Sequence, residues 1–117
     1  MTIEEDVRAF NDTFEQALMA QDVETLAGLY TDDARLLFAG QPILQGRAAI
    51  EEFVRAWVAD GPDATRFETA EVLASGDLVV DIGYTVSAGG RGKYVVVHRR
   101  GPDGKLRIAV DAPSRGA

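Results

Sequence analysis

The chain has 117 residues, a length that fits one domain, and its 46% hydrophobic and 26% charged residues are ordinary for a globular protein. The formal net charge of -7 opposes non-specific binding to nucleic acids and to anionic membranes. The lack of cysteine excludes disulfides and zinc–thiolate sites, and the single histidine excludes a multi-histidine metal site within one chain.

The N-terminal half of the sequence predicts three helices. Thr2 and Glu5 match a capping box ahead of an apolar stripe with helical spacing, so the first helix is expected to run to about Ala20. Asp22 is placed to cap a short second helix. A third helix is expected to open at Gly46 and to end at the Gly-Pro pair of residues 61–62.

The rest of the chain predicts turns and strands. Between the second and third helices we expect a turn over 30–34, a strand over 35–38 and a short extended piece over 43–44. The second half predicts four strands, over 64–74, 78–87, 93–100 and 105–111, followed by a loose tail over 113–117. Helices followed by an antiparallel meander indicate an α+β fold, whose bent sheet could wrap the first helix and leave a cavity.

Three segments carry a resemblance to a known family: AQDVETLAGLYTDDA at 20–34, QGRAAIEEF at 45–53, and the stretch from GKYVVVHRR at 92–100 to IAVD at 108–111. Their order resembles the NTF2-like superfamily, which includes ketosteroid isomerase, and within it the SnoaL-like branch described as DUF4440. The resemblance implies one domain over residues 1–117. It also implies a cone, in which three N-terminal helices pack on a strongly curved mixed or antiparallel sheet that encloses a pocket.

The same resemblance argues against the isomerase reaction. It places Phe38, Phe14 and Val96 where the isomerase has its aspartate base, its tyrosine and its protonated aspartate. Phenylalanine cannot accept a proton, and valine cannot donate a hydrogen bond to a developing oxyanion. Steroid-type isomerisation by that machinery is therefore not expected.

Strand alternation and the resemblance together assign faces to the last two strands. Tyr94, Val96 and His98 share one face, which the resemblance turns toward the cavity. On the last strand the resemblance turns Ala109 and Asp111 inward and leaves an apolar set on the outer sheet face: Leu106, Ile108 and Val110. An apolar outer face needs cover, so we expect a homodimer through the sheets. The alternative is that Val95, Val97, Ile108 and Val110 belong to the core and that the two faces are interchanged.

Asp111 and His98 are the candidate catalytic residues. A carboxylate in an apolar pocket has its pKa raised by desolvation, which suits a general acid or base, and His98 on a neighbouring strand could share its proton. The structural alternatives are that Asp111 bonds local backbone or a tyrosine hydroxyl, and that His98 is a packed histidine with one hydrogen bond.

Aromatic and apolar side chains are the candidate ligand-binding residues. As pocket walls they would favour a flat, mostly apolar ligand, which the tyrosine hydroxyls could orient. The alternative for the helical aromatics is ordinary core packing. Asn11 and Gln45 are weaker candidates, expected at the surface or in caps. The full set of predicted ligand-binding residues is Phe14, Tyr30, Phe38, Phe53, Trp57, Tyr84, Tyr94 and Val96.

The function that these features predict is binding of a small, largely apolar molecule. An enzyme built this way would be a cofactor-free isomerase, cyclase or hydrolase, and neither a metal nor a nucleic-acid partner is expected. The alternative function is a non-catalytic association module that uses the outer sheet face. A cytoplasmic location is expected, because the acidic N-terminus lacks the basic region of a signal peptide and no apolar run could span a membrane.

Overall fold

A computed structural model describes residues 2–61 and 64–115 of the chain, and within them it has three helices and six strands. The helices are α1 (Ile3–Met19), α2 (Val23–Gly28) and α3 (Arg47–Ala59). The strands are β1 (Tyr30–Leu36), β2 (Leu44–Gln45), β3 (Arg66–Ser75), β4 (Leu78–Ser87), β5 (Gly90–Arg100) and β6 (Leu106–Arg115). No helix in these ranges is long and apolar enough to cross a membrane.

Local capping chemistry sets the helix starts. The Thr2 side chain accepts from the backbone N–H of Glu5, and the Glu5 carboxylate accepts from the backbone N–H of Thr2, so the predicted capping box is confirmed. Asp22 accepts from the backbone N–H of Thr25 and caps α2 as predicted. Gly46 precedes α3 with a φ of 95°, a conformation that favours glycine.

The six strands form one mixed sheet in the order β2-β1-β6-β5-β4-β3. β1 and β6 pair in parallel, and the other neighbours pair antiparallel. Register shifts interrupt the β3–β4, β5–β6 and β1–β6 pairings, and such bulges bend a sheet. The curved sheet with helices packed on it confirms the predicted α+β architecture.

The apolar stripes of α1 and α3 meet the inner face of the sheet. Val7, Leu18 and Ile50 are fully buried there, beside Val79 of β4. The sheet therefore has an inner face against the helices and an outer face that no described helix covers. Burying these side chains is the main favourable term in the stability of the domain.

Two segments differ from the prediction in kind, beyond shifts of a few residues at the ends of elements. The stretch 30–34, predicted as a turn, is the start of β1, and its Thr and Asp residues occupy the place where β1 shifts register against β6 between Tyr30 and Arg35. Turn-forming residues can therefore mark a strand irregularity. Pro113, predicted in a loose tail, lies in β6 beyond the last pair with β1, Leu36 with Asp111. A proline is tolerated there because that side of β6 has no partner strand. The rest of the predicted tail, residues 116–117, lies outside the described residues.

An extra residue in β6 also changes the predicted faces. His98 pairs with Ile108, whereas Val97 pairs with Val110, so Ala109 is the extra residue of a bulge. Ile108 therefore faces inward together with Leu106, and their predicted place on the outer face is wrong. Asp111 pairs with the inward-facing Val96 and faces inward as predicted.

Candidate functional site

A cavity of about 550 Å³ opens between the inner face of the sheet and the helices. α1 contributes Phe10, Asn11 and Phe14, and α3 contributes Phe53 and Trp57. The sheet and its loops supply the rest of the wall, including Tyr30, Leu36, Phe38, Phe67, Tyr94, Val96, Ile108 and Asp111. This volume is within the range of sites that hold small organic ligands.

Seven of the eight residues predicted to contact a ligand line this cavity; Tyr84 does not. Val79 and Asp81 of β4 are buried on the inner face, so alternation turns Tyr84 outward. There the guanidinium of Arg91 lies 4.1 Å from the centre of the Tyr84 ring. The prediction for Tyr84 assumed that a strand tyrosine would face the pocket, and the structure places it in a shallow groove on the outer face.

Asp111 is the acidic residue on the described cavity lining. The Tyr30 hydroxyl donates to Asp111 Oδ2 over 2.8 Å. Burial raises the pKa of the Asp111 carboxyl to about 6, and the hydrogen bond from Tyr30 opposes part of that rise. Burial and then the nearby carboxylate raise the pKa of Tyr30 well above its ordinary value, so Tyr30 remains a neutral donor. Near neutral pH, Asp111 can therefore exist in both protonation states.

His98 does not reach the cavity, contrary to the prediction that it shares a proton with Asp111. Its side chain is fully buried, and its ring packs edge-to-face against the Phe10 ring, with the two ring centres 4.5 Å apart. Neither ring nitrogen has a hydrogen-bond partner among the described residues. Burial lowers the pKa of His98 to about 4, so the ring is neutral at physiological pH. The register pairs it with Ile108, whereas Asp111 pairs with Val96.

A second polar group lies behind the wall and was not predicted. Asp81 is fully buried, and it accepts from the Tyr94 hydroxyl at 3.0 Å and from Asn11 Nδ2 at 3.1 Å. Thr69 completes the group, since its hydroxyl lies 3.4 Å from Asn11 Nδ2 and 3.3 Å from the Tyr94 hydroxyl. The sequence did contain a signal, because alternation along 78–87 puts Asp81 on the same face as Val79. Asn11, predicted at the surface or in a cap, is buried in this group.

Gly83 makes room for the Tyr94 ring. A Cβ at Gly83 would lie 2.3 Å from the Glu68 carbonyl oxygen and 2.8 Å from the Tyr94 hydroxyl oxygen, far closer than such atoms approach. Tyr94 thus crosses β4 at a residue without a side chain and reaches Asp81 and Thr69. The glycine is required for packing here, since its φ is not positive.

The chemistry available at the cavity is proton transfer by one carboxyl group. Within residues 2–61 and 64–115, no three His, Asp or Glu side chains are grouped so that they could hold a metal ion. A carboxyl whose pKa lies near 6 can act as a general base when ionised and as a general acid when protonated.

Comparison with solved structures shows the same fold in proteins of low sequence identity. The Mycobacterium tuberculosis protein Rv3472, of unknown function, is 24% identical, with a TM-score of 0.77 over 97% of this chain and 76% of that one. A candidate dehydratase of the NTF2-like family from Streptomyces avermitilis is 24% identical, with a TM-score of 0.74 over 97% of this chain and 95% of that one. A Thiobacillus denitrificans candidate association domain of calcium/calmodulin-dependent protein kinase type II is 18% identical, with a TM-score of 0.80 over 94% of each chain.

At these identities the structural likeness establishes the fold and nothing about activity. No protein with a curated function matches the sequence significantly. The sequence profile of the SnoaL-like domain matches residues 7–108, which is most of the chain and includes two of the three helices in full and the first five strands. The chain therefore belongs to the SnoaL-like domain family, with the NTF2-like fold.

Proposed function

We propose that the protein binds a small, largely apolar molecule in the cavity and that Asp111 exchanges a proton with it, as a cofactor-free isomerase, cyclase or hydrolase would. The observation that carries the proposal is one carboxyl group, with a pKa raised to about 6, on the wall of a mostly apolar cavity of about 550 Å³. Perturbed titratable groups in such cavities are typical of catalytic sites.

Tyr30 supports this role by fixing the carboxyl group. Its hydroxyl donates to Oδ2 and leaves Oδ1 without a donor from another described residue, so Oδ1 is the oxygen available to a bound molecule. As a base, ionised Asp111 would take a proton from a carbon acid or from a water attacking the ligand; protonated, it would return that proton. His98 takes no part in the proposal, because it is sealed behind Phe10.

A matched pair of tyrosine variants tests the cavity. Tyr30→Phe and Tyr84→Phe each remove one hydroxyl, the first beside Asp111 and the second on the outer sheet face. In a thermal-shift screen of flat apolar compounds, hits with the native protein should weaken in Tyr30→Phe and in Trp57→Ala and persist in Tyr84→Phe. Equal loss in both tyrosine variants, or no stabilising compound in a broad library, would contradict binding at this cavity.

For any hit that is turned over, Asp111→Asn separates binding from proton transfer. Asparagine keeps the shape of the side chain but cannot act as an acid or a base at neutral pH. Turnover should therefore fall by about 100-fold or more while binding remains. Turnover that is unchanged in Asp111→Asn would remove Asp111 from the mechanism and leave a binding protein.

We propose, as a second function, association of two chains through the outer sheet face. Val95 is 41% exposed at the centre of this face, and Leu73 and Leu78 are exposed at one end of it. Lys93 of β5 and Glu68 of β3 lie on the same face, so two faces packed together could pair opposite charges. The candidate kinase association domain among the fold neighbours is named for assembly, which is the reason to test this face.

Light scattering after size-exclusion chromatography measures this association directly. Val95→Glu should convert a dimer to a monomer because it buries a charge in the contact, whereas Met19→Glu, at another exposed apolar residue, should leave the mass unchanged. A monomeric native protein at 100 micromolar, or a dimer that persists in Val95→Glu, would contradict this proposal.

A further inference from the structure

Two acidic residues beside the cavity are arranged in one row across the sheet. The register aligns Asp81 of β4 with Val96 of β5, and Val96 with Asp111 of β6. Neighbouring strands are about 4.8 Å apart, so the two acidic residues are separated by roughly 10 Å with Val96 between them. One carboxyl lines the cavity, and the other is sealed behind Tyr94 and Asn11.

The buried carboxylate determines which atoms its neighbours can offer. A carboxylate only accepts, so the Asn11 atom facing Asp81 at 3.1 Å is the amide nitrogen, which also lies 3.4 Å from the Thr69 hydroxyl. The amide oxygen of Asn11 accepts from no other described residue, and Asn11 lines the cavity. The hydroxyl proton of Tyr94 is likewise directed to Asp81. Asp81 thus leaves the oxygen of Asn11, a hydrogen-bond acceptor, for the cavity.

The other end of the row also presents an acceptor. Tyr30 donates its proton to Asp111 Oδ2, so when Asp111 is ionised, its main form at pH 7.5, the pair offers the remaining carboxylate oxygen and no proton. Arg91 is the basic residue on the described lining, but its guanidinium lies against the Tyr84 ring and 3.3 Å from Glu68 Oε1, on the outer face. The described part of the lining therefore has no guanidinium or ammonium group directed at a ligand, and an anionic ligand would face Asp111 unpaired.

From this arrangement we infer the class of ligand: an apolar ring system that carries a hydroxyl group, whose proton is donated to Asp111, with the oxygen of Asn11 as a second acceptor on the same wall. The inference rests on the proposed function and specifies its ligand. A carbonyl or a carboxylate at the same place would leave two acceptors facing each other, a loss comparable to an unmade hydrogen bond. Sites built to pair with a hydroxyl reject analogues that lack its proton.

Three compounds with one carbon skeleton test the inference: tetralin, 1-tetralol and 1-tetralone. Their dissociation constants are measured by NMR titration of the 15N-labelled protein. At pH 7.5 the alcohol should bind at least about tenfold more tightly than the ketone, a factor that corresponds to 1.4 kcal/mol. At pH 5 protonated Asp111 can donate to the ketone, so the preference should fall below about threefold.

Two variants connect this preference to the row. Asp111→Asn supplies an amide donor as well as an acceptor, so the preference for the alcohol should shrink at pH 7.5, whereas Tyr84→Phe should keep it. Trp57→Phe removes the indole N–H of the α3 wall and should change the affinities for alcohol and ketone alike.

The outcomes separate the two proposals. Equal or tighter binding of the ketone at pH 7.5 in the native protein overturns the hydroxyl inference while leaving a binding cavity. Failure of all three compounds to bind overturns the inference together with ligand binding by this cavity. The native protein alone decides between these results, through the pH comparison, even where a variant does not fold.

Discussion

Replacing Asp111 by asparagine should stabilise the protein at neutral pH and leave its stability in acid nearly unchanged. The ordinary pKa of an aspartate is 3.8, and burial raises that of Asp111 to about 6. A group whose pKa is raised by folding favours the folded state when it is protonated, and this contribution is lost as the pH rises from 3.8 through 6. Each pKa unit corresponds to 1.36 kcal/mol, so the ionised carboxylate costs about 3 kcal/mol above pH 7.

Asparagine removes that cost because it never ionises, and its side-chain oxygen can still accept from Tyr30. At pH 8 the variant should exceed the native free energy of unfolding by about 3 kcal/mol, or by roughly 10 °C in Tm. The gain should decline through pH 6 and nearly vanish at pH 4. Urea unfolding followed by circular dichroism at each pH measures it.

Asp103→Asn is the control of opposite sign. Hydrogen bonds from Arg107 lower the pKa of Asp103 to about 2, so this variant should be less stable than the native protein at neutral pH. The reasoning on Asp111 is refuted if Asp111→Asn is less stable at pH 8, or if its difference from the native protein does not change with pH.

The remaining predictions concern the inner wall, and each is checked by urea unfolding. Burial lowers the pKa of His98 to about 4, so the native protein should lose about 3 kcal/mol of stability as the pH falls from 6.5 toward 4. His98→Leu should lack this loss, and a variant as sensitive to acid as the native protein would contradict the prediction. Gly83→Ala should destabilise by about 1–3 kcal/mol, because its Cβ would clash with the Glu68 carbonyl oxygen and with the Tyr94 hydroxyl. Gly28→Ala, with open space around it, should not destabilise the protein. Asp81→Ala should cost about 3 kcal/mol by leaving the Tyr94 hydroxyl and Asn11 amide unpaired, and a neutral effect would disprove their dependence on it.

The elements set by local chemistry could be predicted from the sequence. The capping box at Thr2 and the cap at Asp22 determine helix starts through bonds within four residues, and the strand over 78–87 has the predicted bounds. The stretch 30–34 could not be predicted in this way, because its extended form depends on β6, more than 70 residues along the chain. Pro113 was misassigned for the same reason, since only the sheet order shows which side of β6 is free.

Some residues of the candidate site could also be predicted from local pattern, whereas others depend on distant parts of the chain. Alternation along β5 and β6, together with the family resemblance, predicts Tyr94, Val96 and Asp111 on the inner wall, and the structure agrees. Whether His98 touches a cavity or the core depends on which helix side chain lies above it, and Phe10 covers it. Asp81 was not predicted, because an aspartate in a strand is usually exposed and the sequence does not show that Asn11 and Tyr94 converge on it.

The extra residue at Ala109 determines which side chains of β6 face the cavity. Because side chains alternate along a strand, removing this one residue would turn either Ile108 or Asp111 to the opposite side of the sheet while both hydrogen-bonded ladders could still form. Deletion of a single codon could thus exchange an acidic for an aliphatic side chain on the inner face of an otherwise unaltered sheet. Insertions and deletions in this strand, as much as point substitutions, are a route by which proteins of this shape could gain or lose proton chemistry.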